Sequence, residues 1–222
     1  MRQQEVLTFL HIGKTGGTAL RSVFLQAGAP IDTPFGRIEL PNAHDATLHT
    51  TPGNVFFFLR DPLTRFVSGF WSRYRQGRPT YNNPWRDFEA EIFTVLSTPN
   101  AMALALQSDN STIRELAHGG MARIVHLKRY SNWLGAPADF EANAPRVVFV
   151  GFQETLAQDF ERLKVRLDLP PHWMLPTDGP AVHRTPEGFD RRLDPEAAEI
   201  LRDWYREDYD LISRCRALMN VW

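Results

Sequence analysis

The sequence predicts an α/β protein with a central, mainly parallel sheet and flanking helices, and three observations predict it. Val6-Leu7-Thr8-Phe9-Leu10 is a short apolar run that passes through a glycine-containing loop into a segment with helical periodicity. Val55-Phe56-Phe57-Phe58-Leu59 is a continuous apolar run too short for a helix, and a helical segment again follows. Arg146-Val147-Val148-Phe149-Val150-Gly151 repeats that order. Strands buried on both faces read as uninterrupted apolar runs, and their alternation with helices is the signature of parallel crossover units.

Length and composition bound the reading. The 222 residues suffice for one α/β domain, so 1–222 is read as a single domain. With 25 basic against 26 acidic residues the chain carries no general attraction for nucleic acid or an anionic membrane, and any anion binding must be local. Cys215 is the only cysteine, which suits a reducing compartment. The apolar runs are too short to span a bilayer and no signal-peptide core precedes the first strand, so a soluble, cytoplasmic protein is expected.

The first strand gives way to His11-Ile12-Gly13-Lys14-Thr15-Gly16-Gly17-Thr18, and a helix opens at about Thr18 with Leu20, Val23 and Phe24 at helical spacing. Glycines that accept positive φ let successive backbone N–H groups converge, and the helix start adds free donors and a positive dipole end. Such a loop cradles an anion. It lacks Walker A order, because the glycine required five residues before Gly13 is Thr8, in mid-strand. An ordinary glycine turn with an exposed lysine has the same composition, so a second motif must decide. With Lys14 ahead of the glycine pair, the loop resembles the 5'-phosphosulfate loop of sulfotransferases that use PAPS (3'-phosphoadenosine-5'-phosphosulfate). The likeness is to the carbohydrate-sulfotransferase branch, as a soluble, bacterial-like member, where the loop reads approximately Pro-Lys-Thr-Gly-Gly-Thr-Ser. Gly13 stands where Pro is usual. The resemblance implies that Gly13, Lys14, Thr15, Gly16, Gly17, Thr18 and Ala19 bind the co-substrate, that Lys14 is catalytic, and that the fold is the P-loop-kinase-like sulfotransferase fold.

From Gly28 to about Pro52 the chain reads as loop, punctuated by Pro30, Pro34, Gly36 and Pro41. His44 and His49 lie in it. A lone loop histidine is more often a solvated surface group, yet an imidazole with pKa near ~6.5 can accept a hydroxyl proton at neutral pH. In the family that the loop resembles, a Gly-His pair followed by a second His occupies this place. The resemblance therefore implies His44 as general base, with Ala43 in place of the glycine; His49, nearer the next strand, is expected to support the loop by hydrogen bonding, and the sequence leaves open whether the two roles are reversed.

After the second apolar run comes Arg60-Asp61-Pro62-Leu63-Thr64-Arg65-Phe66-Val67-Ser68-Gly69-Phe70. Asp61 is expected to cap a helix with Pro62 at its first position, and Phe66, Phe70 and Tyr74 mark the packed face. Arg60 at the strand's end and Ser68 on the second helical turn can both point to the crevice where open α/β sheets bind ligands. This stretch closely resembles the 3'-phosphate motif of the same family. Arg60 and Ser68 occupy its phosphate-binding positions.

Beyond it, a helical region is expected from about Trp85 to Leu96 and further helix over Ala101 to Leu106. His126 to Leu134 is read as solvated surface whose charges face an anionic acceptor or nothing in particular. Phe152-Gln153-Glu154 precedes a helix with Leu156, Phe160, Leu163 and Leu167 on one face, and Leu169 to Pro186 reads as loop. One long helix is expected from Asp194, with Ile200, Leu201, Trp204, Leu211, Ile212, Cys215 and Leu218 as an apolar stripe.

The implied reaction is sulfuryl transfer from PAPS to the hydroxyl of an acceptor, releasing PAP, the bisphosphate, with the nucleotide lying across the ends of the first two parallel strands. The resemblance favours a carbohydrate or glycoconjugate acceptor, such as an oligosaccharide or glycolipid, and the variable middle of the chain carries no readable code for it. No metal is implied, and no cluster with metal-ligand spacing occurs. Two other readings share these residues: a nucleotide-dependent phosphotransferase, and a non-catalytic PAP-binding protein that needs no base.

Overall fold

Strands β1 (Val6–Leu10), β2 (Asp32–Thr33), β3 (Gly36–Glu39), β4 (Asn54–Leu59) and β5 (Val147–Phe152) form a sheet in the order β2-β3-β1-β4-β5. The structure, a computed structural model, describes residues 5–28, 30–41, 46–177 and 186–219. Its helices are α1 (Gly17–Ala27), α2 (Pro62–Tyr74), α3 (Asp87–Val95), α4 (Pro99–Ala105), α5 (Ser111–Arg123), α6 (Ser131–Leu134), α7 (Pro137–Asn143), α8 (Leu156–Leu167), α9 (Pro195–Trp204) and α10 (Arg206–Met219). Contacts divide the chain into two compact units, one drawn from 1–60, 130–183 and 207–222 and the other from 61–129 and 184–206, where the sequence is read as one domain. None of the described helices is long and apolar enough to cross a membrane.

The first unit is the α/β part. β1 pairs in parallel with β3 on one side and with β4 on the other, β4 pairs in parallel with β5, and only β2 runs antiparallel, against β3. The chain therefore steps outward from β1 to β3 and then returns to the other side of β1. That reversal between β1 and β4 is where open sheets of this class bind ligands, beyond the carboxyl ends of the strands. Val55 to Leu59 are completely buried, as expected of a strand covered on both faces. Phe9 stacks on Phe56 with centroids 5.0 Å apart, Phe24 from α1 meets Phe56 edge-on at 5.8 Å, and Phe58 packs against Phe149 at 5.9 Å. Each such ring contributes about 1.5–3 kcal/mol by leaving water.

Three sequence expectations are corrected here. The stretch read as loop from Gly28 to Pro52 contains β2 and β3, whose side chains are mostly polar; backbone pairing at the sheet edge, with Ile38 as the one core residue of β3, makes them strands. The expected long C-terminal helix is two helices, α9 and α10, separated at Tyr205. No Pro or Gly marks that break, so the apolar period runs through it. Residues 126–134 are not a solvated surface: Leu127, Tyr130 and Leu134 are fully buried and Trp133 nearly so.

The second unit is helical among its described residues. Asp61 caps α2 as expected, its carboxylate accepting from the Thr64 N–H at 2.9 Å, with Pro62 in the first turn. Phe70 stacks on Tyr74 at 5.9 Å and meets Phe93 of α3 edge-on at 5.3 Å. Another face of α2 holds the 3-10 turn Val125–Leu127: buried Arg65 donates from Nη1 to the Lys128 carbonyl at 2.7 Å, and a Cβ on Gly69 would stand 2.7 Å from the His126 carbonyl. Tyr205 donates its hydroxyl to the Leu127 carbonyl at 2.6 Å, which fixes the end of α9 to the same turn.

One buried ion pair organises the 83–89 segment. Arg73 donates to both oxygens of Glu89, Nε to Oε1 at 2.8 Å and Nη2 to Oε2 at 2.6 Å, and also to the carbonyls of Asn83 and Pro84. The Arg86 N–H donates to Glu89 Oε2 at 3.0 Å. Burial pushes the Glu89 carboxyl upward, but the Arg73 hydrogen bonds, the Arg86 N–H and the two nearby positive charges outweigh it and hold the group below its ordinary value.

A group with a depressed folded pKa contributes stability that is fully present above its unfolded value, near ~4.3 for Glu, and is lost as pH falls through the folded one. Glu89→Gln is expected to cost about 3 kcal/mol in urea unfolding at pH 7, because the Arg73 charge stays buried without its partner. The gap between wild type and variant should shrink below pH ~4. A pH-independent gap would show that the pair's charge is not what stabilises the segment.

Candidate anion-binding site

β1 ends at Leu10, and the chain turns at once: the Ile12 N–H donates to the Leu10 carbonyl at 3.0 Å. The buried Thr15 hydroxyl donates to the Ile12 carbonyl at 2.8 Å, so this side chain closes the turn instead of facing outward. Lys14 has φ 70° and Gly16 φ 89°, ψ 0°, with Thr15 between them outside the left-handed region. Left-handed residues alternating with ordinary ones bring consecutive N–H groups to one side, forming a concave anion nest. Glycine adopts this conformation without strain, whereas Lys14 carries a cost of about 1 kcal/mol or more.

Helix α1 opens at Gly17, one residue before the position expected. The N–H groups of Ala19 and Leu20 both donate to the Gly16 carbonyl, at 3.1 and 3.3 Å. The Gly17 and Thr18 N–H groups thus precede the helical ladder, at the positive end of the dipole, while that of Ala19 is already engaged in it. Gly16 has no side chain to cap this end. Gly17 is required by its neighbour: a Cβ there would overlap the ring of His11, which is half-buried and stacked on Phe9 at 5.7 Å and 11°. The loop's other flank is covered by Leu156 of α8, whose methyl groups would stand 3.0 and 3.1 Å from a Cβ on Gly16. Lys14 is half-buried, Gly13 is buried and Thr18 is exposed.

The parallel register sets Leu10 opposite Phe57, so the chain leaves β4 at Arg60 beside the loop that leaves β1. Arg60 Nη1 donates to the Lys14 carbonyl at 3.5 Å. Two sequence motifs 46 residues apart therefore meet, the arginine of the second lying on the backbone of the first. Compared with protein-family models and with curated proteins, the chain matches none. The Arg60 backbone is held as well: its N–H donates to the Tyr130 hydroxyl at 2.9 Å, and that hydroxyl donates to the Arg60 carbonyl at 2.7 Å. Sequence reasoning missed Tyr130, because the stretch around it was read as surface. It also left His11 without a role, although Gly17 in a position that excludes any side chain is a signal of the ring packed there. Ser68 belongs to the second unit, half-buried on the second turn of α2.

His44 lies outside the described residues, as do Asn42, Ala43, Asp45 and His183. The described part of its loop is pinned to the first unit. Arg146 donates to the Gly53 carbonyl at 2.7 Å, to the Leu48 carbonyl at 3.2 Å and to the Thr51 carbonyl, and the Leu48 N–H donates to the Trp133 carbonyl at 2.7 Å. His49 is exposed, and its ring edge occupies the space a Cβ on Gly135 would need. Among the described residues no group of three or more His, Cys, Asp and Glu is arranged to hold a metal ion.

The left-handed steps at Lys14 and Gly16 and the start of α1 are backbone features of the kind that receive anions, and Arg60 lies on the Lys14 carbonyl. The backbone strain at Lys14 gives a direct test of its built geometry. Lys14→Gly is expected to be more stable than Lys14→Ala by about 1 kcal/mol, because only glycine relieves the positive φ. Urea unfolding of the two variants measures it, and equal stability would mean that the left-handed conformation is absent in solution.

Proposed function

We propose that this protein is a PAPS-dependent sulfotransferase that moves a sulfuryl group to an acceptor hydroxyl, with a carbohydrate or glycoconjugate as the acceptor class. The observation that carries the reading is the meeting of its two anion motifs: the Lys14 loop and Arg60 leave adjacent parallel strands at the reversal point of the sheet, and Arg60 touches the Lys14 backbone. A ligand with two separate anionic groups, as PAPS has, suits a site with two cationic side chains and a nest of N–H groups.

In this reading the acceptor oxygen attacks sulfur in line, the bond between sulfur and the bridging phosphate oxygen breaks, and PAP leaves with that electron pair. Sulfuryl transfer, like phosphoryl transfer, asks for positioning and for neutralisation of charge on the bridging and equatorial oxygens. Lys14 and the N–H groups from Thr15 to Thr18 supply the neutralisation. Arg60 binds the 3'-phosphate, joined by Ser68 on the strength of the sequence motif, and this remote binding energy positions the sulfuryl group. His44 takes the acceptor proton. The localisation that accompanies this reading is cytoplasmic.

Adenosine 3',5'-bisphosphate (PAP) is expected to raise the thermal midpoint far more than AMP, which lacks the 3'-phosphate. Equal shifts would remove the basis for a PAPS enzyme, and a larger shift with ATP would favour a phosphotransferase.

Activity separates the roles. Lys14→Ala should lower turnover about 100- to 1000-fold, since a preorganised donor acts most on the developing anion. His44→Ala should lower it about 100- to 10,000-fold with PAP affinity nearly unchanged, and His49→Ala should lose less, its ring being packed on Gly135. Turnover with radiolabelled donor across a panel of hydroxylated acceptors is the measurement. An active His44 variant beside an inactive His49 variant would transfer the role of base to His49.

A further inference from the structure

Arg60 is the first residue beyond β4, where the sheet's own ladder has run out: the strand's last pairs are Phe57 with Leu10 on one side and Leu59 with Phe152 on the other. A residue in that place normally has its N–H and C=O in water and its side chain free to swing with the backbone. Here one phenol takes both groups. The Tyr130 hydroxyl accepts from the Arg60 N–H at 2.9 Å and donates to the Arg60 carbonyl at 2.7 Å, the exchange that a residue on a neighbouring strand would make.

The phenol is itself fixed. Tyr130 is fully buried, and its own N–H donates to Asp208 Oδ1 at 2.9 Å. Asp208, in the first turn of α10, is also fully buried. A carboxylate from α10 thus sets the Tyr130 backbone, the Tyr130 side chain sets the Arg60 backbone, and the Arg60 side chain reaches the Lys14 carbonyl. Every link lies within the first unit. Packing alone does not require this arrangement: a Phe in place of Tyr130 would fill the same space and leave the Arg60 N–H and C=O to other partners.

We propose that Tyr130, seated by Asp208, is a positioning residue that holds Arg60 in the orientation in which its guanidinium receives the 3'-phosphate of the nucleotide. This rests on the sulfotransferase reading above. A guanidinium binds phosphate through a planar fork of donors, so small rotations of its backbone forfeit hydrogen bonds that a point charge would keep. Tyr130 acts only through Arg60, and its effect must therefore vanish wherever Arg60 or the 3'-phosphate is absent.

The test is calorimetric titration of wild type, Tyr130→Phe, Arg60→Ala and the double variant with PAP and with AMP. Tyr130→Phe is expected to weaken PAP about tenfold and leave AMP unchanged, and to add nothing in the Arg60→Ala background, since residues that act as one unit are strongly non-additive. Equal losses for PAP and AMP, full additivity with Arg60→Ala, or no loss at all would each overturn the clamp. If Tyr130→Phe does not fold, Asp208→Ala, which keeps the phenol, should show the same PAP-selective loss at smaller size, and an unselective loss there would overturn it equally. Wild type that does not prefer PAP over AMP would instead overturn the sulfotransferase reading beneath it, a result visible before any variant is made.

Discussion

The parallel pairing of β1 with β4 is the constraint on which the candidate site depends. Side chains alternate along a strand, so a one-residue slip would turn Phe9 and Phe56 away from each other and carry Arg60 away from the loop. The slip is opposed by the stacking of those two rings at 5.0 Å and by the edge of Phe24 from α1 against the same Phe56. Core aromatics therefore fix, through register, where two cations stand at the sheet's end. The Tyr130 hydroxyl then extends that order by one residue past the last strand pair.

Within the loop, most of the motif builds the loop and little of it is offered to a ligand. The Thr15 hydroxyl closes the turn, Gly16 supplies a left-handed step, Gly17 makes room for His11, and Ala19 belongs to the helical ladder. Lys14 is the exception. It adopts a conformation that glycine would adopt more cheaply, and strain of that kind persists where the surroundings impose it.

The second motif divides in a similar way. Asp61 and Pro62 start α2, Arg65 and Gly69 bind the 125–127 turn to it, and Phe66 and Phe70 are buried. Only Arg60 and Ser68 remain as candidates for a ligand. A resemblance over this stretch thus reports helix capping and close packing as much as phosphate binding, which is why the contact between Arg60 and the Lys14 loop carries more weight than the motif itself. The Arg73–Glu89 pair does comparable structural work further along, holding the 83–89 segment through Glu89 and the Asn83 and Pro84 carbonyls.

The sequence by itself determined the elements whose signals are local. Continuous apolar runs marked β1, β4 and β5, because strands covered on both faces need no polar side. Asp61-Pro62 marked the start of α2, because capping and a missing N–H act within one turn. The glycine loop after β1 was legible for the same reason. What depends on distant partners was not legible: β2 and β3 exist by edge pairing, the break at Tyr205 leaves the apolar period intact, and residues 126–134 are tied to partners far along the chain, the Lys128 and Leu127 carbonyls accepting from Arg65 and Tyr205 and the Tyr130 hydroxyl donating to the Arg60 carbonyl. The Tyr130 clasp and the meeting of Arg60 with Lys14 belong to this second kind. They join residues 70 and 46 positions apart, and only the register of the sheet and the seating of Asp208 on α10 bring them within hydrogen-bonding distance.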